Sequence, residues 1–230
     1  MSDAQHNNSL TFKETLDGSF TLFNPSLNET YHSINGAYSE SLHVYIENGL
    51  KLKNQASINV LEIGFGTGMN ALLTAEHLEN TSAINYLSLE PFPVEINLLK
   101  SYYQQFKQHT FNTDLLERML ASDGKWLKLN ENMNICISSS TLQNLKAVDF
   151  NNNRKADLIY YDAFAPSKQA DMWSLETLSI AIAHLEKGGV LCTYCAQGQF
   201  KRNLMELGMQ VSNPRGPNGK REMTVAYKPH

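Results

Sequence analysis

A buried-strand pattern that runs directly into a glycine loop constrains this chain more than any other feature. Four of the six residues at 58–63 are apolar, and glycines then occupy positions 64, 66 and 68. A helical pattern begins at the next residue, Met69. A strand that enters a helix through such a loop is typical of open α/β sheets, whose ligands bind beyond the carboxyl ends of the strands. Residues 61–68 are therefore predicted to form part of a ligand site.

The alternation of strands and helices continues along the chain. Continuous apolar runs predict further strands at residues 85–89, 133–137, 157–161 and 190–194. Because such runs are buried on both faces, they indicate a mostly parallel sheet with helices on both sides. The short connection between residues 209–211 and 223–227 predicts an antiparallel hairpin at the sheet edge. The expected class is α/β, with a Rossmann-like sheet of seven strands.

Residues 1–55 are predicted to form a small N-terminal extension that packs on the domain of residues 56–230. Residues 10–23 alternate polar and apolar side chains around an Asp-Gly pair, which predicts a β-hairpin. Ser39 is a candidate N-cap for a helix that Gly49 ends.

Composition indicates a globular protein without a membrane anchor. The chain has 230 residues and is 42% hydrophobic, and its apolar runs are strand-sized. They are far shorter than the roughly 18 residues of a membrane span. The polar N-terminus shows no secretory signal, so the expected location is the cytoplasm. Three cysteines give no disulfide framework, and the Cys192–Cys195 pair lacks the partners of a metal site, so no metal is expected.

The glycine loop and the acidic residues near it favour S-adenosylmethionine as the cofactor. The G-x-G-x-G spacing differs from the G-x-G-x-x-G of dinucleotide binders, and a carboxylate at the strand end suits a cationic ligand better than a diphosphate. A second carboxylate, about twenty residues beyond the loop, can accept hydrogen bonds from ribose hydroxyls. Serine stands where an acidic residue usually meets adenine. The predicted cofactor-binding residues are Glu62, Gly64, Gly66, Gly68, Met69, Asn70, Glu90 and Ser140.

Asp162 follows the strand at residues 157–161 and is the predicted catalytic residue. The run Asp-Ala-Phe-Ala-Pro at 162–166 is a loose variant of the motif with which amino-group methyltransferases hold an amine. Its carboxylate and a backbone carbonyl can both accept hydrogen bonds from the amine. Asp162 can also take a proton, because a protonated amine cannot attack. Further substrate contacts are predicted at Ala163, Phe164, Pro166 and Trp173.

Four stretches carry a resemblance to a known family: YHSINGAYSESLHV at 31–44, LEIGFGTGMN at 61–70, DAFAPSKQADMW at 162–173 and GKREM at 219–223. With them the chain resembles the bacterial methyltransferases that complete the 5-methylaminomethyl group on the wobble uridine of tRNA, namely the MnmC methyltransferase domain and its stand-alone MnmD-like relatives. The resemblance implies the S-adenosylmethionine-dependent methyltransferase fold. It also implies methylation of the aminomethyl nitrogen of 5-aminomethyl-(2-thio)uridine.

The same resemblance implies partners for the reaction. In that family the methyltransferase is often fused to a flavin oxidase, so a chain with the methyltransferase region alone is expected to bind no FAD. A functional link to a separate oxidase or aminomethyl-forming enzyme is expected instead.

The charge distribution predicts how RNA is held. The net charge is −4, yet residues 187–230 carry seven Lys and Arg against two acids, whereas residues 1–50 carry six acids against one base. Lys220 and Arg221 are predicted to bind phosphates of the tRNA anticodon loop, whose unpaired base can enter a pocket at little cost. Structural pairing with carboxylates such as Glu222 is the alternative.

Other functions stay open on the sequence alone. An aminopropyltransferase shares the fold and the glycine loop but typically keeps a second carboxylate for its polyamine. A methyltransferase of small amines or of proteins would leave the basic segment unused. A cofactor-binding scaffold would need neither Glu62 nor Asp162. The G-x-G-x-G spacing disfavours a nicotinamide dehydrogenase.

Overall fold

The described part of the N-terminal extension (residues 10–55), called the N-terminal segment below, contains an antiparallel sheet of three strands. The computed structural model describes residues 10–78, 83–145, 150 and 154–230. The strands of this sheet are β1 (Thr11–Glu14), β2 (Phe20–Asn24) and β3 (Glu29–Thr30). β1 and β2 form the predicted hairpin, with Thr11 opposite Phe23. The two-residue β3 was not predicted.

The helix after this sheet begins earlier than predicted. Helix α1 (Ala37–Ser41) continues as a π-helical turn over Leu42–Glu47 and is followed by a 3-10 helix at Leu50–Leu52. Gly36 is the N-cap, and Ser39 lies in the first turn. The Ser39 backbone N and Oγ donate to Oδ2 of Asp17, at 3.1 and 2.5 Å. The prediction of Ser39 as N-cap is therefore wrong, because a carboxylate from the hairpin accepts from this turn instead.

Eight strands form the main sheet: β4 (Ser57–Ile63), β5 (Ala83–Leu89), β6 (Leu127–Lys128), β7 (Met133–Ser138), β8 (Ala156–Tyr161), β9 (Leu185–Thr193), β10 (Gln210–Ser212) and β11 (Thr224–Tyr227). Their spatial order is β10-β11-β9-β8-β4-β5-β7-β6. The five strands from β9 to β7 are parallel. β11 pairs antiparallel with β9 and β10, and β6 pairs antiparallel with β7.

The predicted α/β fold with an antiparallel edge hairpin is confirmed. The predicted number of seven strands is one too low, because the two residues of β6 add a short antiparallel strand at the opposite edge.

Five further helices connect the strands: α2 (Met69–Glu76), α3 (Ile96–Tyr103), α4 (Thr113–Leu120), α5 (Leu175–Ala183) and α6 (Gly198–Glu206). α4 was not predicted; the Asn112 side chain caps it by accepting from the Leu115 backbone N at 2.9 Å. Trp173, a predicted substrate contact, lies just before α5. It ends a separate 3-10 helix, Ala170–Trp173, and Ser174 caps α5.

Two apolar cores cover the two faces of the main sheet. Neighbouring residues of a strand point to opposite faces, so Val60 belongs to one core and Leu61 to the other. Leu22 and Tyr45 of the N-terminal segment belong to the same core as Val60. The boundary after residue 55 therefore stays a prediction. Within the described part of the chain, no helix has the length and apolar character needed to cross a membrane.

Candidate active site

A cavity of about 780 Å³ lies beyond the carboxyl ends of β4, β5, β7 and β8. Its volume is typical of small-molecule sites, which span roughly 300–1,000 Å³. The sheet contributes residues 63–66, 89–92, 140–143 and 162–165 to the wall. Most of residues 27–34, together with Glu40, Tyr194 and Lys220, complete it. The predicted ligand site thus coincides with a real cavity.

Two of the three loop glycines line the cavity, and an added side chain at either would meet neighbouring atoms closely. Gly64 has φ +92°, and a Cβ there would lie 2.5 Å from the Asp162 carbonyl oxygen. Gly66 has φ +55°, and a Cβ there would lie 3.2 Å from Cδ1 of Tyr31. Both glycines line the cavity, whereas Gly68 is the N-cap of α2 and lies outside the wall. The loop therefore leaves bare backbone facing the cavity at two of the three glycines.

Glu90 holds the glycine loop from the end of β5. Its Oε2 accepts from the Gly66 backbone N at 2.9 Å, and its Oε1 accepts from the Phe92 backbone N at 3.0 Å. These bonds fix the Glu90 carboxylate in the wall of the cavity, beside the glycine loop. Ser140 lies in the wall after β7.

Glu62, Met69 and Asn70 lie behind the cavity wall rather than on it. Glu62 is fully buried and accepts from Ser88 Oγ at 2.7 Å and from Asn70 Nδ2 at 3.1 Å. Burial raises the pKa of Glu62 to about 8, although these hydrogen bonds oppose the rise. The three residues are predicted as cofactor contacts, but none of them lines the cavity: Glu62 lies in β4, and Met69 and Asn70 form the first turn of α2.

Asp162 lines the cavity, and its carboxylate is tied to a residue behind the wall. Its carboxylate accepts from Asn70 Nδ2 at 2.8 Å. Burial raises the pKa of Asp162 to about 7, while the neighbouring Tyr45 and Asn70 side chains favour the charged form. A carboxyl group that titrates near neutral pH is suited to accept and release a proton.

The loop after Asp162 is held by hydrogen bonds to its carbonyl groups. The Ala163 carbonyl accepts from the Tyr194 hydroxyl at 2.8 Å, and the Phe164 carbonyl accepts from Trp173 Nε1 at 2.8 Å. The Phe164 backbone N donates to Gln169 Oε1 at 3.0 Å. A carbonyl predicted to position an amine would therefore have to use its second lone pair.

The four predicted substrate contacts separate into two groups. Phe164 and Ala163 line the cavity, whereas Pro166 and Trp173 do not. Trp173 is only 4% exposed and packs against Tyr161 and Phe200. Its role is to support the loop from behind, through the bond from its Nε1.

The N-terminal segment supplies cavity residues that the sequence did not predict. The Tyr31 ring meets Phe164 edge-on, with centroids 5.0 Å apart. His32 Nε2 lies 2.9 Å from Thr67 Oγ1 of the glycine loop. Burial lowers the pKa of His32 to about 4, so its ring is neutral at pH 7. Both residues fall within the stretch at 31–44, but contacts between distant segments leave no local pattern.

Lys220 pairs with Glu40 and not with Glu222, the carboxylate named as an alternative partner from the sequence. Its Nζ lies 2.5 Å from Oε1 of Glu40, and both side chains line the cavity. Glu222 pairs with Lys201 instead, also at 2.5 Å. Arg221 is exposed beside a second, shallow pocket that shares Lys220 with the main cavity.

No cluster of three or more His, Cys, Asp or Glu side chains able to hold a metal occurs among the residues that the structure describes. Cys136, Cys192 and Cys195 are buried free thiols.

Comparison with known families decides the assignment. Residues 104–229 match a family described as S-adenosyl-L-methionine-dependent methyltransferase. The chain belongs to this family. The cavity fits the cofactor, because Gly64 and Gly66 admit close approach to the backbone and the Asp162 carboxylate suits a cation.

Two bacterial proteins are similar to most of this chain. The chain is 32% identical over 211 residues to the tRNA 5-methylaminomethyl-2-thiouridine biosynthesis bifunctional protein MnmC of Campylobacter hominis, covering 90% of this chain and 31% of that protein. The MnmC protein of Campylobacter jejuni is 31% identical over 219 residues, with coverage of 90% and 35%. The chain thus spans about a third of the length of these relatives.

A solved structure is similar to this chain over nearly its whole length. The crystal structure of MnmC2 from Aquifex aeolicus superposes with a TM-score of 0.74 at 27% identity, covering 96% of this chain and 72% of that one. The predicted membership in the MnmC methyltransferase family and the predicted methyltransferase fold are confirmed.

Proposed function

We propose that the protein transfers a methyl group from S-adenosylmethionine to the nitrogen of a 5-aminomethyl group on the wobble uridine of tRNA, in the cytoplasm. The position of Asp162 carries the proposal, because this residue lines the cavity beside the glycine loop and its carboxyl group has a pKa of about 7. The relatives named for 5-methylaminomethyl-2-thiouridine biosynthesis favour an aminomethyl uridine over other amines.

The cofactor would be held by Gly64, Gly66, Glu90 and Ser140, which share the cavity wall. When bound, S-adenosylmethionine supplies an electrophilic methyl carbon. The glycines give backbone contact without a side chain, and Glu90 is the acceptor for ribose hydroxyls. Glu62 acts indirectly, since it anchors Asn70 at the start of α2.

The amine would be held by Asp162. In this proposal the carboxylate accepts a hydrogen bond from the substrate nitrogen and takes one proton from its ammonium form. The rings of Tyr31 and Phe164, which both line the cavity, would flank the uridine base. Aromatic side chains commonly hold unstacked bases in this way.

The anticodon loop would approach across the C-terminal loop of residues 213–223. Arg215 and Arg221 are exposed on that loop, and such side chains position RNA through its phosphates. The aminomethyl group must be installed before it is methylated. The proposal therefore includes a functional link to a separate oxidase or aminomethyl-forming enzyme, and no FAD in this chain.

The test is nucleoside mass spectrometry of tRNA from cells that lack the protein. We expect 5-aminomethyl uridines to accumulate, and plasmid-borne wild type, but not Asp162→Asn, to restore the methylated form. Purified protein with labelled cofactor should methylate this tRNA and leave small amines and proteins unlabelled. Unchanged tRNA nucleosides, or label in small amines alone, would contradict the proposal.

A further inference from the structure

An ion pair joins the N-terminal segment to the C-terminal loop within the cavity wall. Glu40 lies in helix α1, and Lys220 lies on the C-terminal loop 180 positions later. The Glu40 side chain is only 8% exposed, and its other oxygen accepts from the Ser33 backbone N at 2.7 Å. Lys220 Nζ lies 5.6 Å from the centroid of the Tyr194 ring. Both partners are therefore held at defined positions.

The charges that face this cavity are mostly negative. The acidic side chains on its wall are Glu29, Glu40, Glu90 and Asp162. His32 is neutral at pH 7, and burial raises the pKa of the Tyr31 and Tyr194 phenols, which stay uncharged. Among the described wall residues, Lys220 is the single cation.

Glu40 and Lys220 act on Asp162 in opposite directions. The Glu40 charge raises the pKa of Asp162, and the Lys220 charge lowers it. Two uncompensated carboxylates in one cavity favour retention of a proton, because like charges disfavour ionisation. A bare Glu40 would also stabilise an ammonium ion and so keep the substrate amine unreactive.

We propose that Lys220 is a positioning residue that neutralises Glu40 and thereby keeps Asp162 ready to accept a proton from the substrate amine at neutral pH. One proton passes from the ammonium group to the Asp162 carboxylate, and the nitrogen retains the electron pair with which it attacks. The role differs from the phosphate contact predicted for Lys220 from the sequence. It rests on the proposed function for the identity of the amine, but the protonation of Asp162 can be followed without substrate.

The first measurement is a carbon-13 NMR titration of the full chain with labelled aspartate side chains. The Asp162 signal is assigned by its loss in Asp162→Asn. In Lys220→Met the Asp162 midpoint should rise by about one pH unit. In the double variant Glu40→Gln/Lys220→Met it should return close to that of wild type, because both charges are then absent.

Lys201→Met is the matched control. Lys201 pairs with Glu222 of the same loop at the same 2.5 Å distance, and neither side chain lines the main cavity. Loss of this pair should leave the Asp162 midpoint unchanged. Circular dichroism melting of each variant establishes that the chain is folded at the temperature of the titration.

The second measurement is the pH dependence of tRNA methylation, which should shift in Lys220→Met by the same amount and recover in the double variant. An unchanged Asp162 midpoint in Lys220→Met, or a shift that persists in the double variant, would overturn the inference. Wild-type protein that fails to methylate aminomethyl tRNA contradicts the proposed function instead, so the two failures are distinguishable.

Discussion

Asn70 donates a hydrogen bond from its side-chain amide to the carboxylate of Asp162, 2.8 Å away, although the two residues lie 92 positions apart. The same nitrogen lies 3.1 Å from Oε1 of Glu62. Asn70 is 2% exposed in the first turn of α2. One amide thus links Asp162, which lines the cavity, to the carboxylate behind the glycine loop.

Replacement of Asn70 by alanine should change both the pKa of Asp162 and the free energy of unfolding. The pKa of Asp162 should rise, because its charged form loses a donor, and the increase of activity with pH should move to higher pH. The free energy of unfolding should fall by about 1–3 kcal/mol, the cost of unpaired buried groups. Urea denaturation and a pH–rate profile measure the two effects.

Asn85→Ala is the control for Asn70. The Asn85 amide donates to Asn59 Oδ1 at 3.0 Å within the same sheet, away from the cavity. It should lose a comparable amount of stability and keep the wild-type pH profile. Matching profiles for Asn70→Ala and wild type would show that the link to Asp162 has no effect on the reaction.

Asp162→Asn should bind the cofactor normally and turn over on the order of 10²-fold more slowly, because it keeps the shape but cannot take a proton. Wild-type activity should rise as the pH increases through about 7, since the deprotonated carboxylate is the active form. The variant should lose this rise. Calorimetry and a pH–rate series test both points, and a full rate between about pH 6 and 9 would exclude Asp162 as the base.

Gly66→Val should abolish cofactor binding in calorimetry. Its φ of +55° is unfavourable for a side chain, and the added atoms would meet Tyr31 over the glycine loop. Gly208→Val separates the effect of a side chain at positive φ from that of the contact with Tyr31. Gly208 has φ +80°, and nothing lies within 4 Å of a Cβ built there. That variant should lose about 1–2 kcal/mol of stability and keep its cofactor affinity. Equal affinity for both variants would contradict the loop assignment.

Asp17 should make stability depend on pH in the acid range. Burial alone would raise its pKa, but hydrogen bonds from Ser19, Ser39 and Thr15 outweigh it and lower the pKa from 3.8 to about 2. The folded-state value is the lower one, so the contribution is complete above the unfolded pKa and disappears as the pH falls through about 2.

The corresponding variant is Asp17→Asn. It should lower the free energy of unfolding at neutral pH by about 1–2 kcal/mol, allowing for the partial exposure of Asp17. The difference from wild type should shrink toward pH 2 in denaturation curves. Glu14→Gln, at an exposed acid of the same hairpin, should leave stability unchanged. A pH-independent difference would assign the effect to packing.

Arg221→Ala should raise the KM for tRNA and leave cofactor affinity intact. One lost phosphate contact should reduce the slope of log affinity against log salt by about 0.7–0.9. Charge reversal at Glu14, on the N-terminal hairpin, should leave that slope unchanged. A stably folded Arg221→Ala with the wild-type slope would remove Arg221 from the RNA surface.

The local sequence pattern was sufficient to predict most strands of the main sheet and the part of the cavity wall that follows them. Apolar runs and glycine spacing predict the strands and the loop, and Asp162 follows because side chains at strand ends share one edge. Glu62 was misjudged because the pattern does not tell a carboxylate that faces a ligand from one packed under the loop. α4 did carry a signal in Asn112 and the apolar spacing of residues 115–120.

The remaining site residues depend on contacts that no local window contains. Tyr31, His32 and Glu40 reach the cavity from the N-terminal segment, and Glu40 meets a partner 180 positions away. Such pairing is fixed by tertiary packing rather than by the spacing of residues along the chain.

The pairing of Glu40 with Lys220 also orders events during synthesis. Contacts of high sequence separation can form only after the intervening chain has been made, and they close a long loop. A nascent chain that has emerged as far as β8 already holds the glycine loop, Glu90 and Glu40, but not Lys220. Gly64, Gly66 and Glu90, which we propose hold the cofactor, are therefore made before the charge that balances Glu40, and the ion pair can form only once residue 220 has been synthesised.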